Sequence, residues 1–135
     1  CAAHPPPVKF VTRTTCGMIP SFAARIDAFA RTTAPEYARL GIGGDAGPQL
    51  TGPAIDHFRN FYNDTVSNGS LDALALAIRF FGSEHILFGT DFPFGPPDGA
   101  WAVNELRAVR AVDISERDRE QILHGNVERL LGLPG

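Results

Sequence analysis

Cysteine is nearly absent from this sequence, since Cys1 and Cys16 are the only two among 135 residues. Their number and spacing exclude a disulfide framework and a cysteine-based zinc site, and they predict a reducing, cytoplasmic location. Basic residues are also few: 12 Lys and Arg stand against 15 Asp and Glu, and the formal net charge is -3. Without a basic stripe, no nucleic-acid partner is expected. No signal peptide or long apolar run is present, so no membrane partner is expected either.

What the sequence does contain is a high apolar fraction, 44% of its residues. A chain of this length can bury a core, but it is short for a complete parallel barrel. It also begins at Cys1 without an initiator Met and enters a predicted strand within a few residues. We therefore expect that another segment precedes it, and we predict a single partial domain over residues 1–135.

Apolar periodicity predicts alternating strands and helices, and hence an α/β fold. The strands are "VKFVTRT", ending near Thr14, then "FYNDTV" and "HILFGTD". The helix "SFAARIDAFARTT" is predicted to begin at Ser21 as its N-cap, and "SLDALALAIRFFG" to end at Gly82. Because hairpin signals are missing, we expect parallel strands joined by right-handed crossovers.

The remaining segments are predicted to be connections and outer helices. Residues 34–53 are rich in Gly and Pro and predict a long surface connection, followed by the short helix "AIDHFRN". "GAWAVNELRAVRAV" predicts a helix with Val103, Leu106 and Val109 or Val112 facing inward.

Ser115 with Asp118 predicts a capped helix start, and Asn126 is expected to cap the last turns.

Three polar residues stand where the predicted strands end: Thr14, Asp64 and Asp91. Chemistry in parallel α/β folds sits at the carboxyl ends of the strands. An Asp in this position can bind a metal or move a proton. It can equally start a turn or cap the next helix, and the strand pattern alone favours this structural role.

Four stretches in this order resemble the amidohydrolase-2 type of the amidohydrolase superfamily. They are "CGMIPSFAARID", "FYNDT", "HILFGTDFPFG" and "ILHGNVERLLGL". That group includes aminocarboxymuconate-semialdehyde, resorcylate and carboxyvanillate decarboxylases. The resemblance implies the C-terminal part, about three strand-helix units, of a (β/α)8 TIM barrel with a metal-dependent hydrolase fold.

The resemblance also implies site residues. Asp91 matches the family's aspartate at the eighth strand, which sits at a divalent metal, expected to be zinc, and takes part in proton transfer. Arg25 matches an arginine that reaches the substrate carboxylate of a neighbouring subunit, which implies a homo-oligomer and a small carboxylate substrate. A guanidinium suits that task because it pairs bidentately with a carboxylate. Asp64 is expected to be structural, bonding turn amides near the site.

The sequence departs from the family pattern at its histidines. The His-x-His pair of the first strand and the third ligating His are absent, and Thr14 stands where the family places an acid/base His. The remaining histidines, His4, His57, His85 and His124, have no ligand spacing.

The function expected from the resemblance is that of a fragment of a metal-dependent carboxy-lyase acting on a small aromatic or unsaturated carboxylate. A hydrolase of the same superfamily is the first alternative. The second is a catalytically inactive partial barrel that persists as an oligomerising module or remnant. The chain alone is expected to be inactive, and an open three-strand sheet is expected to associate or to fold poorly.

Overall fold

Three short parallel strands form the sheet of this protein, whose computed structural model describes residues 8–42 and 52–133. Strands β1 (Val11–Thr12), β2 (Tyr62–Asp64) and β3 (Ile86–Leu87) lie in the order β1-β2-β3. Val11 pairs with Tyr62, and Asp64 pairs with Leu87. The alternation of strands and helices is thus confirmed, and all three carboxyl ends meet at one edge of the sheet.

Helices follow each strand. The described helices are α1 (Ile19–Ala28), α2 (Ala34–Arg39), α3 (Ala54–Phe58), α4 (Leu71–Phe81), α5 (Ala100–Ala111), α6 (Glu116–Glu120) and α7 (Asn126–Leu131). A π-helical turn, Phe29–Thr33, joins α1 to α2, and another, Gln121–Gly125, joins α6 to α7. Short 3-10 turns lie at Thr14–Cys16 and Ser83–His85.

Two predicted helix boundaries are wrong. The first helix begins at Ile19 rather than at Ser21, because Pro20 occupies its first turn, where a missing N–H costs nothing. Residues Ala34–Arg39 are helical rather than part of a surface connection, since Pro35 and Glu36 likewise suit a first helical turn. Residues 43–51 of that predicted connection lie outside the described part of the chain, as do Cys1 and His4.

The core lies between the sheet, α4, α5 and the α6–α7 segment. It consists of Cys16, Leu74, Ala77, Phe81, Ile86, Ala108, Val109, Val112 and Ile122. In α4 the buried residues Leu74, Ala77 and Phe81 recur at helical spacing, and the Ser70 hydroxyl caps the helix by accepting the Ala73 N–H at 3.3 Å. Gly82 ends α4 with φ 85°, as predicted.

The predicted inward face of α5 is confirmed at Val109 and Val112, which are buried, and is wrong at Val103. Val103 is 44% exposed, whereas Glu105 is only 1% exposed. The buried stripe runs through Glu105, Ala108 and Val109, so the helix is rotated relative to the purely apolar pattern. One oxygen of the buried Glu105 is satisfied, since Oε1 accepts the backbone N–H groups of Ser67 at 2.7 Å and of Gly69 at 3.2 Å, whereas Oε2 has no hydrogen-bond partner among the described residues.

Two helix caps are predicted in the C-terminal helices, and the structure confirms one and contradicts the other. The Ser115 hydroxyl accepts the Asp118 N–H at 3.1 Å, which confirms the predicted start of α6. Asn126 is not a cap. It is fully buried, and its Nδ2 donates to the carbonyls of Ser83 and Ile86, both at 2.7 Å. Asn126 therefore fastens α7 to the start of β3.

The helices of the described residues are all too short or too polar to cross a bilayer.

Candidate functional site

The chain turns sharply where β1 ends. Thr14, Thr15 and Cys16 all have left-handed backbone angles, with φ 57°, 50° and 59°. Such angles cost an L-residue about 1–2 kcal/mol, and more for a β-branched side chain such as Thr. Strained backbone of this kind persists only where surrounding contacts hold it, and it concentrates at functional sites. Thr15 and Cys16 are buried beneath the turn, and Thr14 is exposed at its surface.

Asp64, at the end of β2, holds this turn. Its Oδ1 accepts the backbone N–H of Thr14 at 2.6 Å and that of Val66 at 3.1 Å. Burial raises the pKa of the Asp64 carboxyl above its ordinary value of 3.8, and these hydrogen bonds and the charge of Arg13 offset only part of that rise. The contacts agree with the expected structural role of Asp64, because both its partners are turn amides.

The raised pKa of Asp64 predicts a pH dependence. The folded state favours the neutral carboxyl, so the contribution of Asp64 to stability falls as pH rises from its ordinary pKa through its folded pKa. Asp64→Asn keeps an acceptor oxygen for both amides and removes the charge. We expect this variant to gain stability relative to wild type as pH rises above the ordinary pKa of the Asp64 carboxyl, measured as urea midpoints. The exposed Asp113→Asn is the control, and an equal gain for both variants would contradict the explanation.

The segment after β3 is fixed to β2 by a reciprocal pair of hydrogen bonds. Thr65 Oγ1 donates to the Gly89 carbonyl at 3.0 Å and accepts the Gly89 N–H at 3.1 Å. A Cβ at Gly89 would lie 3.0 Å from the Cβ of Asp64, so glycine is what allows the two segments to approach. This close approach brings the two strand ends that carry Asp64 and Asp91 together.

Asp91 lies in a left-handed turn immediately beyond this contact, with φ 59°. Its carbonyl accepts the Phe94 N–H at 2.9 Å, and the next peptide bond, Phe92-Pro93, is cis. The side chain of Asp91 is 24% exposed, and its Oδ1 pairs with Nη2 of Arg13. Asp91 does form a turn here, but its carboxylate points back across the sheet to the end of β1.

Arg13 is the site residue that the sequence did not reveal. It follows β1 directly and forms its ion pair with a residue 78 positions away. Its side chain is 65% exposed. A single Arg after a short strand has no distinctive pattern, so only the parallel arrangement of the strands could have indicated it.

Arg25 lies apart from this group. It is exposed on α1, which packs against α3 and α4. Within the described residues it forms no hydrogen bond or ion pair. The structure thus brings Thr14, Asp64 and Asp91 together at the carboxyl ends of the strands and does not bring Arg25 to them.

The residues present do not amount to a metal site. In the described ranges, no three His, Cys, Asp or Glu side chains lie close enough together to hold an ion. His85 bonds the Phe81 carbonyl through Nδ1 at 2.9 Å, at the amino end of β3, and His124 pairs with Glu128 at 3.4 Å. The cation beside Asp91 is the Arg13 guanidinium. The described part of the chain therefore supplies too few ligands to hold a metal ion, and no reaction step through a metal follows from it.

A shallow groove elsewhere on the surface does not involve these residues. It lies between α4 and α5 and is lined by Asn68, Gly69, Leu71, Asn104, Arg107, Ala108 and Ala111. The strand ends that carry Arg13, Asp64 and Asp91 are instead open, as expected for part of a barrel wall.

Comparisons with known proteins agree with this architecture. The amidohydrolase family model (Amidohydro_2) matches residues 4–133. Gamma-resorcylate decarboxylase of Polaromonas sp. (strain JS666 / ATCC BAA-500) is 39% identical over 82 residues, which are 58% of this chain and 23% of that protein.

Solved structures of similar fold include a dihydroxybenzoic acid decarboxylase from Polaromonas sp. JS666 with bound manganese and the inhibitor 2-nitroresorcinol. It is 28% identical, with a TM-score of 0.65, over 93% of this chain and 34% of that one. The 2,6-dihydroxybenzoate decarboxylase from Rhizobium is 26% identical, with a TM-score of 0.66, over 94% of this chain and 35% of that one. The chain thus spans about a third or less of these relatives. Its three parallel strands with their helices are part of a TIM barrel, and the chain belongs to the amidohydrolase family.

Proposed function

We propose that this chain is the C-terminal portion of a metal-dependent decarboxylase acting on a small aromatic carboxylate. The observation that carries the proposal is Asp91, an aspartate held at the carboxyl end of β3 and aimed across the sheet. The similarity of the chain to decarboxylases of dihydroxybenzoates supports the substrate class. The "PSFAARID" and "FGTDFPFG" segments favour decarboxylation over hydrolysis, which is the alternative within the family.

Asp91 is proposed to act both as a metal ligand and in proton transfer once the remaining strands complete the site. A carboxylate near a divalent cation can do both. We propose zinc as the metal; the manganese in one relative's structure makes Mn²⁺ the other ion to test.

Arg25 is proposed to bind the substrate carboxylate of a neighbouring subunit, and its exposure on α1 supports this. The buried free thiol of Cys16 supports a cytoplasmic location.

The test is to rebuild a barrel. The chain is co-expressed with the part of the Polaromonas gamma-resorcylate decarboxylase that it does not match, and the purified complex is assayed for bound metal and for CO₂ release from 2,6-dihydroxybenzoate. A Thr14→His form is assayed beside it. We expect metal and turnover in both complexes, with the higher rate in the Thr14→His complex. A complex that assembles and binds metal, yet releases no CO₂ in either form, would contradict the proposal.

An inactive partial barrel is the second candidate function, and Thr14 favours it. Thr cannot supply the imidazole that the family's acid/base step needs near neutral pH. Turnover in the Thr14→His complex alone would assign the natural chain to this second class. Turnover with Thr14 itself would exclude it.

We further propose that the chain self-associates through the free edge of β1. Val11 of β1 is 51% exposed, Val8 in the segment before β1 is 76% exposed, and among the described strands β1 pairs only with β2. Apolar strand edges of this kind pair with other chains, and a Lys on the edge prevents it. We expect sedimentation velocity to show an oligomer for wild type and a smaller species for Val11→Lys. The control is Val103→Lys on α5, where the side chain is 44% exposed. A monomeric wild type would contradict this.

A further inference from the structure

The position of Arg13 suits it to bind a ligand in addition to its ion pair with Asp91. It stands immediately after β1, and the strained turn that follows it is fixed by the hydrogen bond from Thr14 N to Asp64 at 2.6 Å. Its Nη2 contacts Asp91 on the segment after β3. The first of these contacts fixes the backbone next to Arg13, and the second fixes its side chain. A side chain held in this way loses less conformational entropy when it binds a ligand.

The guanidinium also retains free hydrogen-bond donors. An arginine carries five N–H groups in a planar fork, and the contact with Asp91 uses the Nη2 end. With 65% of the side chain exposed, the rest of the fork is open to the carboxyl ends of the strands. That geometry matches a carboxylate, which accepts two parallel N–H bonds from one fork.

Arg13 carries the positive charge that an anionic ligand needs at this edge of the sheet. Asp64 and Asp91 are both acidic, and Arg13 is the cation that faces them. A carboxylate ligand would be repelled by either aspartate unless a cation lay between them. The burial of Asp64 favours its neutral form, which reduces that repulsion on one side.

We propose that Arg13 is a substrate-binding residue that holds the carboxylate of the aromatic acid from within the same subunit. This assignment rests on the proposed function for its ligand class. Asp91 orients the fork, and the free edge of the fork receives the acid. Arg13 thereby places the carboxylate next to Asp91, independently of any contribution from Arg25 of a second copy.

The experiment is an NMR titration of the 135-residue chain with 2,6-dihydroxybenzoate. We expect binding by wild type, and affinity reduced about tenfold or more in Arg13→Gln, because a charge-assisted hydrogen bond is lost. Arg13→Lys, which keeps the charge without the fork, is expected to fall between them. The exposed Arg110→Gln is the matched control. Resorcinol, which lacks the carboxylate, is expected to bind Arg13→Gln and wild type equally.

The assignment is overturned if wild type does not bind the acid, if Arg13→Gln binds it as tightly, or if only Arg25→Gln weakens binding. An equal loss of resorcinol affinity in Arg13→Gln would also overturn it, since the defect would then lie in the fold. The readout is binding without turnover. Arg13-dependent binding together with a rebuilt barrel that releases no CO₂ would leave this assignment standing and contradict the decarboxylase proposal.

Discussion

Asp91→Asn is expected to reduce CO₂ release by the rebuilt barrel about 100-fold or more. An amide cannot accept a proton near neutral pH, and it is a weaker ligand for a divalent cation than a carboxylate. The substitution nearly preserves the shape of the side chain, and Asn tolerates the left-handed backbone at this position, where φ is 59°. The fold should therefore remain intact. Turnover is measured in the Thr14→His complex, because its rate is expected to be high enough for the decrease to be measured.

The control is Asp98→Asn in the same loop, whose carboxylate accepts the Ala100 N–H at 3.0 Å and does not face Arg13. We expect its turnover to stay within about twofold of the parent, well below the loss of a general acid or base. Bound metal and melting temperature are recorded for both variants. An Asp91→Asn complex that retains more than half of its turnover would remove Asp91 from the reaction.

Asn126→Leu is expected to have the largest effect on stability, a loss of about 3–5 kcal/mol in the free energy of unfolding. The Asn126 side chain is fully buried and donates to two carbonyls, Ser83 O and Ile86 O. Its Oδ1 accepts from Nη2 of Arg129 at 2.8 Å. Leu has nearly the same size but leaves both carbonyls and the guanidinium without this partner. Urea denaturation measures the difference.

Two further variants isolate the hydrogen bonds of Asn126. Asn126→Asp keeps the acceptor for Arg129 and loses both donated bonds, so we expect it to be as destabilising as the Leu variant. Asn60→Leu changes an exposed asparagine whose bond to the Asp56 carbonyl is 3.4 Å long, and we expect a loss below about 0.5 kcal/mol. Similar midpoints for Asn126→Leu and Asn60→Leu would show that the buried bonds contribute little.

The sequence predicts most of the strand-helix alternation, because apolar periodicity depends on local spacing that a buried face imposes. Leu74, Ala77 and Phe81 illustrate this, since their spacing alone places them on one side of α4. Glu105 and Asn126 illustrate what spacing misses. Both are buried polar residues whose hydrogen bonds go to backbone groups distant in sequence, although Oε2 of Glu105 has no such partner among the described residues.

In the candidate site, too, local sequence pattern predicts some features, and others depend on contacts between residues distant in sequence. Thr14, Asp64 and Asp91 could be placed at one edge because each follows a predicted strand and parallel strands share a carboxyl end. The pairing of Arg13 with Asp91 could not, since it depends on how closely two segments 78 residues apart approach. The expected roles of Asp91 and Arg25 in chemistry stay predictions, and the experiments above are what would test them.

The left-handed backbone at position 14 has an evolutionary consequence. With φ 57°, this position penalises a β-branched threonine, whereas histidine is among the residues that adopt such angles more readily. A change from Thr to His here would therefore relieve strain while it adds an imidazole at the strand end. Stability would therefore not oppose an acid/base histidine at this position as far as the backbone is concerned.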